Sequence, residues 1–156
     1  MSNPEFEEVR SRAPVALCDC GMAAATEIVG DRWTLLILRE AFYGVIRYDD
    51  MLADLGISRS ILSDRLSKLV ERGLLEKQPY REANDRERMA YVLTARGREF
   101  GMVMLALLQW GNAEIEGGPR FVIAKRSDAS EVSVGLIDSH GKPVSPGDIA
   151  IRPKGK

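Results

Sequence analysis

Residues 56–74 read GISRSILSDRLSKLVERGL. Gly56 ends one helical segment, and Ser58 is a good N-cap for the next, because its hydroxyl can accept a hydrogen bond from a free backbone amide. Four apolar side chains then repeat at helical spacing and predict a face turned toward a core: Leu62, Leu66, Leu69 and Val70. Gly73 is a usual left-handed stop. The pattern predicts the second, basic helix of a helix-turn-helix motif.

The flanking sequence extends this motif. Asp31 can cap a helix that contains residues 33–38, and the apolar character of that helix around most of its circumference predicts burial. Residues 47–55 form a shorter helix. Residues 74–80 and 88–93 resemble two strands joined by a polar loop, which is the wing. We therefore predict an α+β, mainly helical winged helix-turn-helix that places one helix in a DNA major groove and the hairpin beside it.

A second copy of the chain is the expected partner of the next segment. Thr94 caps a predicted long helix over residues 95–116, and its middle is apolar around most of its surface. One small domain cannot bury so much apolar surface, and large exposed apolar patches usually mark interfaces. The residues expected in a homodimer interface are Phe100, Val103, Met104, Leu107, Leu108 and Trp110.

The chain divides into three predicted parts. Residues 1–17 form an N-terminal arm, and residues 18–116 form the DNA-binding and dimerisation domain. Gly117-Gly118-Pro119 marks a boundary. Residues 119–156 then form a small β-hairpin extension, with strands expected at 121–125, 131–137 and 148–151 and a turn at residues 139–142. The sequence assigns no role to this extension.

The charge distribution favours a DNA partner although the net charge is −1, from 22 basic and 23 acidic residues. Residues 1–57 carry a net −5, residues 58–100 carry +3 and residues 101–156 carry +1. The positive charge gathers where the motif lies, and a local basic patch is what phosphate contact requires. This patch is modest, so binding should depend on dimerisation.

Ten residues are candidates for DNA contact: Arg47, Ser58, Arg59, Ser60, Ser63, Arg65, Lys68, Arg81, Arg86 and Arg88. Arginine can pair bidentately with guanine, and short hydroxyls allow close approach to base edges. Alternatives remain open for each group. The serines and Arg59 can belong to a solvated helix face, Arg65 can pair with Asp64 or Glu71, and the wing arginines can form exposed ion pairs of little value.

Other function classes find little support. No apolar run is long enough to span a membrane and the N-terminus has no apolar signal region, so we expect a cytoplasmic protein without a membrane partner. Neither a phosphate loop nor a nucleophile elbow nor a zinc motif is found, so no enzyme, cofactor or metal is expected. A winged-helix adaptor that contacts proteins and does not bind DNA is the alternative.

Cys18 and Cys20 raise the hypothesis of redox sensing. A helix N-terminus after Cys20 could lower the pKa of its thiol, but no basic residue follows before Arg32. A pair of packed or merely exposed cysteines is the alternative. We do not expect a disulfide between the two cysteines, because they are too close in sequence for an ordinary structural bridge.

The pattern as a whole resembles the HxlR family of bacterial regulators, relatives of the MarR group. The resemblance covers about residues 18–116. Its matching positions are Cys20, residues 28–40 (IVGDRWTLLILRE), Ile57, Ser58, Leu62, Arg65, Leu66, Leu69, Gly73, Leu74, residues 91–94 (YVLT), Gly97 and Trp110. It implies homodimeric winged-helix proteins that bind operator DNA and repress or activate genes. Some members respond to electrophiles or oxidants through a cysteine at the position of Cys20, and a small-molecule effector is the other expectation. The chain departs from the pattern at Gly21, where proline is common, and in a more charged wing at residues 84–88.

Overall fold

The computed structural model describes residues 11–83 and 86–151. Its helices are α1 (Gly21–Val29), α2 (Arg32–Phe42), α3 (Tyr48–Leu55), α4 (Arg59–Glu71), α5 (Ala95–Glu99) and α6 (Gly101–Asn112). Strand β1 (Leu75–Tyr80) pairs with β2 (Arg88–Leu93), and β3 (Leu136–Ile137) pairs with β4 (Pro143–Val144), both antiparallel. Most of the predicted arm, the wing residues 84 and 85, and residues 152–156 lie outside the described residues.

The core lies between α2 and α4. Ile37 and Leu38 of α2 are completely buried, and so are Leu62 and Leu66 of α4, with Leu69 only 1% exposed. Burying a leucine or isoleucine side chain contributes roughly 1.5–3 kcal/mol, so these five residues supply much of the stability of the fold. The predicted burial of α2 and the inward-facing side of α4 are both confirmed.

Helix α2 begins at the predicted cap. The Asp31 carboxylate accepts hydrogen bonds from the backbone amides of Trp33 and Thr34, both at 3.1 Å, and from the Thr34 hydroxyl. It therefore satisfies two of the amides that every helix N-terminus leaves without a partner.

The turn between α3 and α4 also follows the prediction. Gly56 has φ +59°, in the left-handed region that glycine adopts without strain. Ile57 then turns into the core, and the Ser58 hydroxyl accepts a hydrogen bond from the Ile61 amide at 3.4 Å. These two features set the start of α4.

The wing is held by both of its ends. Its register runs from Leu75 opposite Leu93 to Tyr80 opposite Arg88. Gly73 precedes β1 with φ +72°, and the Thr94 hydroxyl donates to the Gly73 carbonyl at 2.6 Å. Thr94 also caps α5, accepting from the Gly97 amide at 3.0 Å. On the other edge, the Tyr91 amide donates to the Ile46 carbonyl at 2.7 Å, which ties β2 to the segment before α3.

The predicted single helix over residues 95–116 is wrong. Helices α5 and α6 meet at Phe100, on either side of which stand Gly97 and Gly101, and glycine is a poor helix former. Both glycines are in close contact with other elements. A Cβ on Gly97 would lie 2.1 Å from the Leu74 carbonyl oxygen, and one on Gly101 would lie 3.0 Å from the Phe42 ring. Packing against β1 and α2 thus requires the two residues that weaken a continuous helix.

The end of this helix was also predicted too late. Helix α6 stops at Asn112, because the amides of Ala113 and Glu114 donate three residues back, to the carbonyls of Trp110 and Gly111. Such bonds tighten the last turn and end the α-helical pattern.

The tail differs from the prediction in its strands. The first two predicted strands meet only in an isolated bridge between Ala124 and Glu131, and β3 is the last part of the second. Residues 139–142 form the predicted turn, but it leads into β4, and Asp138 stabilises it by accepting from the His140 amide. The strand predicted at 148–151 is wrong, because a 3-10 turn over Pro146–Asp148 takes its first residue and residues 149–151 pair with no strand among the described residues.

One side chain docks the tail on α6. The Gln109 amide group donates to the Val134 carbonyl at 3.0 Å and accepts from the Val134 amide at 2.7 Å. A strand neighbour would make the same pair of backbone hydrogen bonds. This contact spans 25 residues of sequence, and the sequence analysis did not find it.

Replacing Gly97 with alanine tests the contact between α5 and β1. The new Cβ would clash with the Leu74 carbonyl, so we expect Gly97→Ala to lower the free energy of unfolding by about 1–3 kcal/mol. Gly21→Ala is the control, because a Cβ there meets nothing within 4 Å and α1 already has helical geometry. Urea unfolding at one protein concentration measures both variants. Equal stability of the two would show that the contact does not require glycine.

Candidate nucleic-acid interface

The exposed side of α4 begins with the predicted contact residues. Ser58, Arg59, Ser60 and Ser63 are all exposed, and the Arg59 side chain is 72% exposed. Because the leucine face of α4 is buried against α2, these residues turn outward from the first two turns of the helix. A helix that presents its N-terminal residues in this way is what major-groove reading requires.

Tyr48 joins α3 to the start of α4. Its hydroxyl donates to the Arg59 carbonyl at 3.0 Å and shares a hydrogen bond with the Ser63 hydroxyl at 2.9 Å. Tyr48 is half-buried against the core. The sequence analysis missed this residue, although its helical spacing to Leu52 and Leu55 marks it as part of the inward face of α3.

Arg65 is held inside the fold. Its Nε donates to the Asp31 carboxylate at 2.9 Å, and its Nη1 pairs with Asp64. Of the two partners that the sequence offers, Arg65 pairs with Asp64 and not with Glu71, and its bond to Asp31 is an addition that the sequence does not predict. Only 26% of the Arg65 side chain is exposed, so Arg65 positions α4 against the cap of α2.

The charges at this junction support each other. Partial burial opposes ionisation of Asp31, but hydrogen bonds from Thr34 and Arg65 prevail and lower the pKa of its carboxyl group. The hydrogen bond to Asp31 raises the pKa of Arg65. Farther along the exposed side, Lys68 pairs with Asp64 at 2.9 Å and lowers the pKa of that carboxyl group.

The wing carries the remaining candidates. The Arg47 guanidinium lies over the Tyr80 ring, 4.8 Å from its centroid, and pairs with Glu82, a partner that the sequence did not predict for it. Residue 47 also forms an isolated antiparallel bridge with Ala90 of β2, which ties the start of α3 to the wing. Arg81, Arg86 and Arg88 are exposed.

A cleft of about 320 Å³ lies between the start of α4 and the wing. It is lined by Tyr48, Asp49, Arg59, Tyr80, Arg86, Arg88, Met89 and Tyr91. The structure thus brings three of the predicted arginines to one concave surface, from the helix and from the wing. Arg65, Lys68 and Arg81 do not line it.

The two cysteines lie away from this surface. Cys18 is exposed in a 3-10 turn, and Cys20 is half-buried at the N-cap of α1. Both are free thiols, and the Cys20 side chain makes no capping hydrogen bond. Thiol sensing stays a prediction.

Helix α6 presents an apolar surface that the described part of the chain leaves exposed. None of its residues is buried, and Val103, Leu107 and Trp110 are 46%, 44% and 71% exposed. Phe100 and Met104 are half-buried against the core, and Leu108 is half-buried as well. None of the helices within residues 11–83 and 86–151 has the length and apolarity to cross a bilayer.

Comparison with known proteins defines the class. A family model described as HxlR-like helix-turn-helix matches residues 28–118, and the chain belongs to this family. The resemblance inferred from the motif and the winged helix-turn-helix fold are therefore confirmed.

Individual relatives agree with this assignment. MT3179 of Mycobacterium tuberculosis, an uncharacterised HTH-type transcriptional regulator, is 49% identical over 98 residues, which are 61% of this chain and 61% of that protein. The crystal structure of PA1607, a proposed transcription factor, covers 86% of this chain and 95% of its own, with a TM-score of 0.75 and 28% identity. A second proposed transcription factor, PA1374 from Pseudomonas aeruginosa, is 34% identical over 86% of this chain and 92% of its own, with a TM-score of 0.60.

Two variants of Asp31 separate its cap from its charge. Asp31→Ala removes both and should lower the free energy of unfolding by about 1–2 kcal/mol or more at neutral pH. Asp31→Asn keeps a capping oxygen and removes only the charge that faces Arg65, so it should lower the free energy of unfolding by less. Because folding lowers the pKa of Asp31, the stability that its charge contributes is present above about pH 4 and disappears as pH falls through the folded pKa.

Urea unfolding at pH 7 and near pH 3 measures this difference. Asp148→Asn is the control, since it removes an exposed tail carboxylate. A gap between wild type and Asp31→Asn that persists unchanged at low pH would mean that the charge of Asp31 does not stabilise α4.

Proposed function

We propose that this chain is a transcriptional regulator that binds double-stranded DNA as a homodimer through α4 and the wing. The observation that carries the proposal is the cleft in which Arg59 of α4 meets Arg86 and Arg88 of the wing. Cations on a helix and on an adjacent hairpin match a major groove and the phosphates or minor groove beside it. Family membership supports the same function.

Within α4 the roles divide by exposure. Arg59 extends from the first helical position and is the candidate for base reading. Ser60 and Ser63 lie beside it. Because the Ser63 hydroxyl is already hydrogen-bonded to Tyr48, Ser60 is the better candidate for a hydrogen bond to a base. Lys68 is exposed farther along α4 and is a candidate phosphate contact, whereas Arg65 acts by holding α4 on Asp31.

The dimer is proposed from the apolar surface of α6. A pair of copies that bury Val103, Leu107 and Trp110 against each other would cover side chains that one chain leaves exposed. Two-fold symmetry would then present two α4 helices to one face of the duplex. The operator should be a pseudo-palindrome with half-sites about one helical turn, roughly 34 Å, apart.

DNA binding is tested with variants of α4 and the wing. Arg59→Ala should weaken operator binding by roughly 1–3 kcal/mol and relax the preference at one position of each half-site. Arg86→Ala should weaken operator and random duplexes alike and flatten the dependence on salt, because a phosphate contact releases counterions. Arg126→Ala in the exposed tail is the charge-matched control.

Electrophoretic shifts across a salt series supply the measurement. If Arg59→Ala lowers the affinity for operator DNA and for random DNA by the same factor, Arg59 is a phosphate contact. If the wild-type protein has no salt-dependent affinity for any duplex, the proposed function is wrong and a protein adaptor replaces it.

The dimer is tested with one charge on α6. Leu107 is exposed within a single chain, so Leu107→Glu should leave the fold intact yet shift the protein to monomer and weaken operator binding. Met102→Glu is the matched control, because Met102 is also exposed but lies on the side of α6 that carries Gln109. Sedimentation velocity compares the two variants. A Leu107→Glu protein that still sediments as a dimer would remove this face of α6 from the interface.

A further inference from the structure

One carboxylate bridges the two sides of the cleft. Asp49 lies in the first turn of α3, and its Oδ1 is 3.8 Å from Nη1 of Arg59 on α4. Its Oδ2 is 3.2 Å from Nη1 of Arg88 on the wing. Asp49 is also the one acidic side chain among the described residues that line this cleft. A negative charge therefore stands in the middle of the surface that should approach a polyanion.

The two ion pairs of Asp49 are exposed to solvent, so another anion can replace the carboxylate. The side chains of Asp49, Arg59 and Arg88 are 60%, 72% and 42% exposed. Exposed ion pairs are weak, since water and salt screen them, so a phosphate can compete with Asp49 for either guanidinium. Of the other five residues that line the cleft, three are tyrosines, one is a methionine and the fifth is Arg86, so the cleft holds three arginines around one carboxylate.

We propose that Asp49 is an electrostatic gate that makes DNA binding specific; the inference rests on the proposed function. A non-operator duplex offers the cleft phosphates alone, so it must displace the Asp49 carboxylate from Arg59 and Arg88 and tolerate its repulsion. On an operator, Arg59 turns to a base edge and Asp49 can stay paired with Arg88, so the carboxylate is disturbed less than on a duplex whose phosphates take both guanidinium groups. Asp49 thus lowers affinity for non-operator DNA more than affinity for the operator, in the way that specific interfaces reject wrong partners by unfavourable contacts.

The test compares two neighbouring aspartates. Asp49→Asn removes the charge in the cleft, and Asp50→Asn removes the same charge from the next residue, which is also exposed but does not line the cleft. The probes are an operator duplex enriched from a random pool by the wild-type protein and a scrambled duplex of the same length. Thermal unfolding verifies that both variants are folded.

We expect Asp49→Asn to bind the scrambled duplex about three- to tenfold more tightly than wild type at low salt, with a smaller gain on the operator. The ratio of the two affinities should therefore fall, and Asp50→Asn should leave it near the wild-type value. In an Arg59→Ala, Arg88→Ala background, Asp49→Asn should have a smaller effect on the scrambled duplex, because the pairs that it breaks are already absent.

Two results would overturn the gate. Equal effects of Asp49→Asn and Asp50→Asn on the two affinities would mean that only net charge matters. Weaker binding of both duplexes by Asp49→Asn would mean that Asp49 orients Arg59 and Arg88 for DNA contact. Failure of the proposed function is seen separately, because then the wild-type protein enriches no operator and binds neither duplex.

Discussion

The burial of one face of α4 determines the rest of the surface. Leu62, Leu66 and Leu69 are enclosed by α2 and the neighbouring elements, so the rotation of α4 about its axis is set by the packing of these side chains. With that rotation set, every residue between the leucines has a defined direction. Arg59 and Ser60 point away from the core because the leucines point into it. A reading surface therefore follows from hydrophobic packing, to which the bonds of Arg65 to Asp31 and of Tyr48 to Ser63 add polar contacts.

The features that were predictable from sequence are those that depend on neighbours along the chain. The caps at Asp31 and Ser58, the left-handed turns at Gly56 and Gly73, and the leucine periodicity of α4 each involve a few consecutive residues. Contacts between distant residues were not predictable in this way. The bond between Arg65 and Asp31 spans 34 residues, and local pattern alone offers Asp64 as an equally good partner. The same holds for Tyr48, whose role depends on where α4 passes.

The helix after the wing shows a different reason for failure. Its sequence is apolar and capped, which favours one long helix, but the glycines at 97 and 101 are needed for close packing against Leu74 and Phe42. Sequence patterns report what a segment prefers by itself, whereas the contact that excludes a Cβ is a property of the folded chain. The tail failed for a related reason, since short two-residue strands and a bridge give only a weak periodic signal.

The docking of the tail by Gln109 has a consequence for how this part of the chain can diverge. Gln109 makes hydrogen bonds to the backbone of Val134 and none to its side chain. Almost any residue at position 134 except proline could therefore keep both hydrogen bonds. The anchor defines where the tail sits without constraining what the tail is made of. Natural selection could therefore rewrite the outward side chains of residues 119–151, and with them whatever that surface recognises, while the tail kept its place on α6.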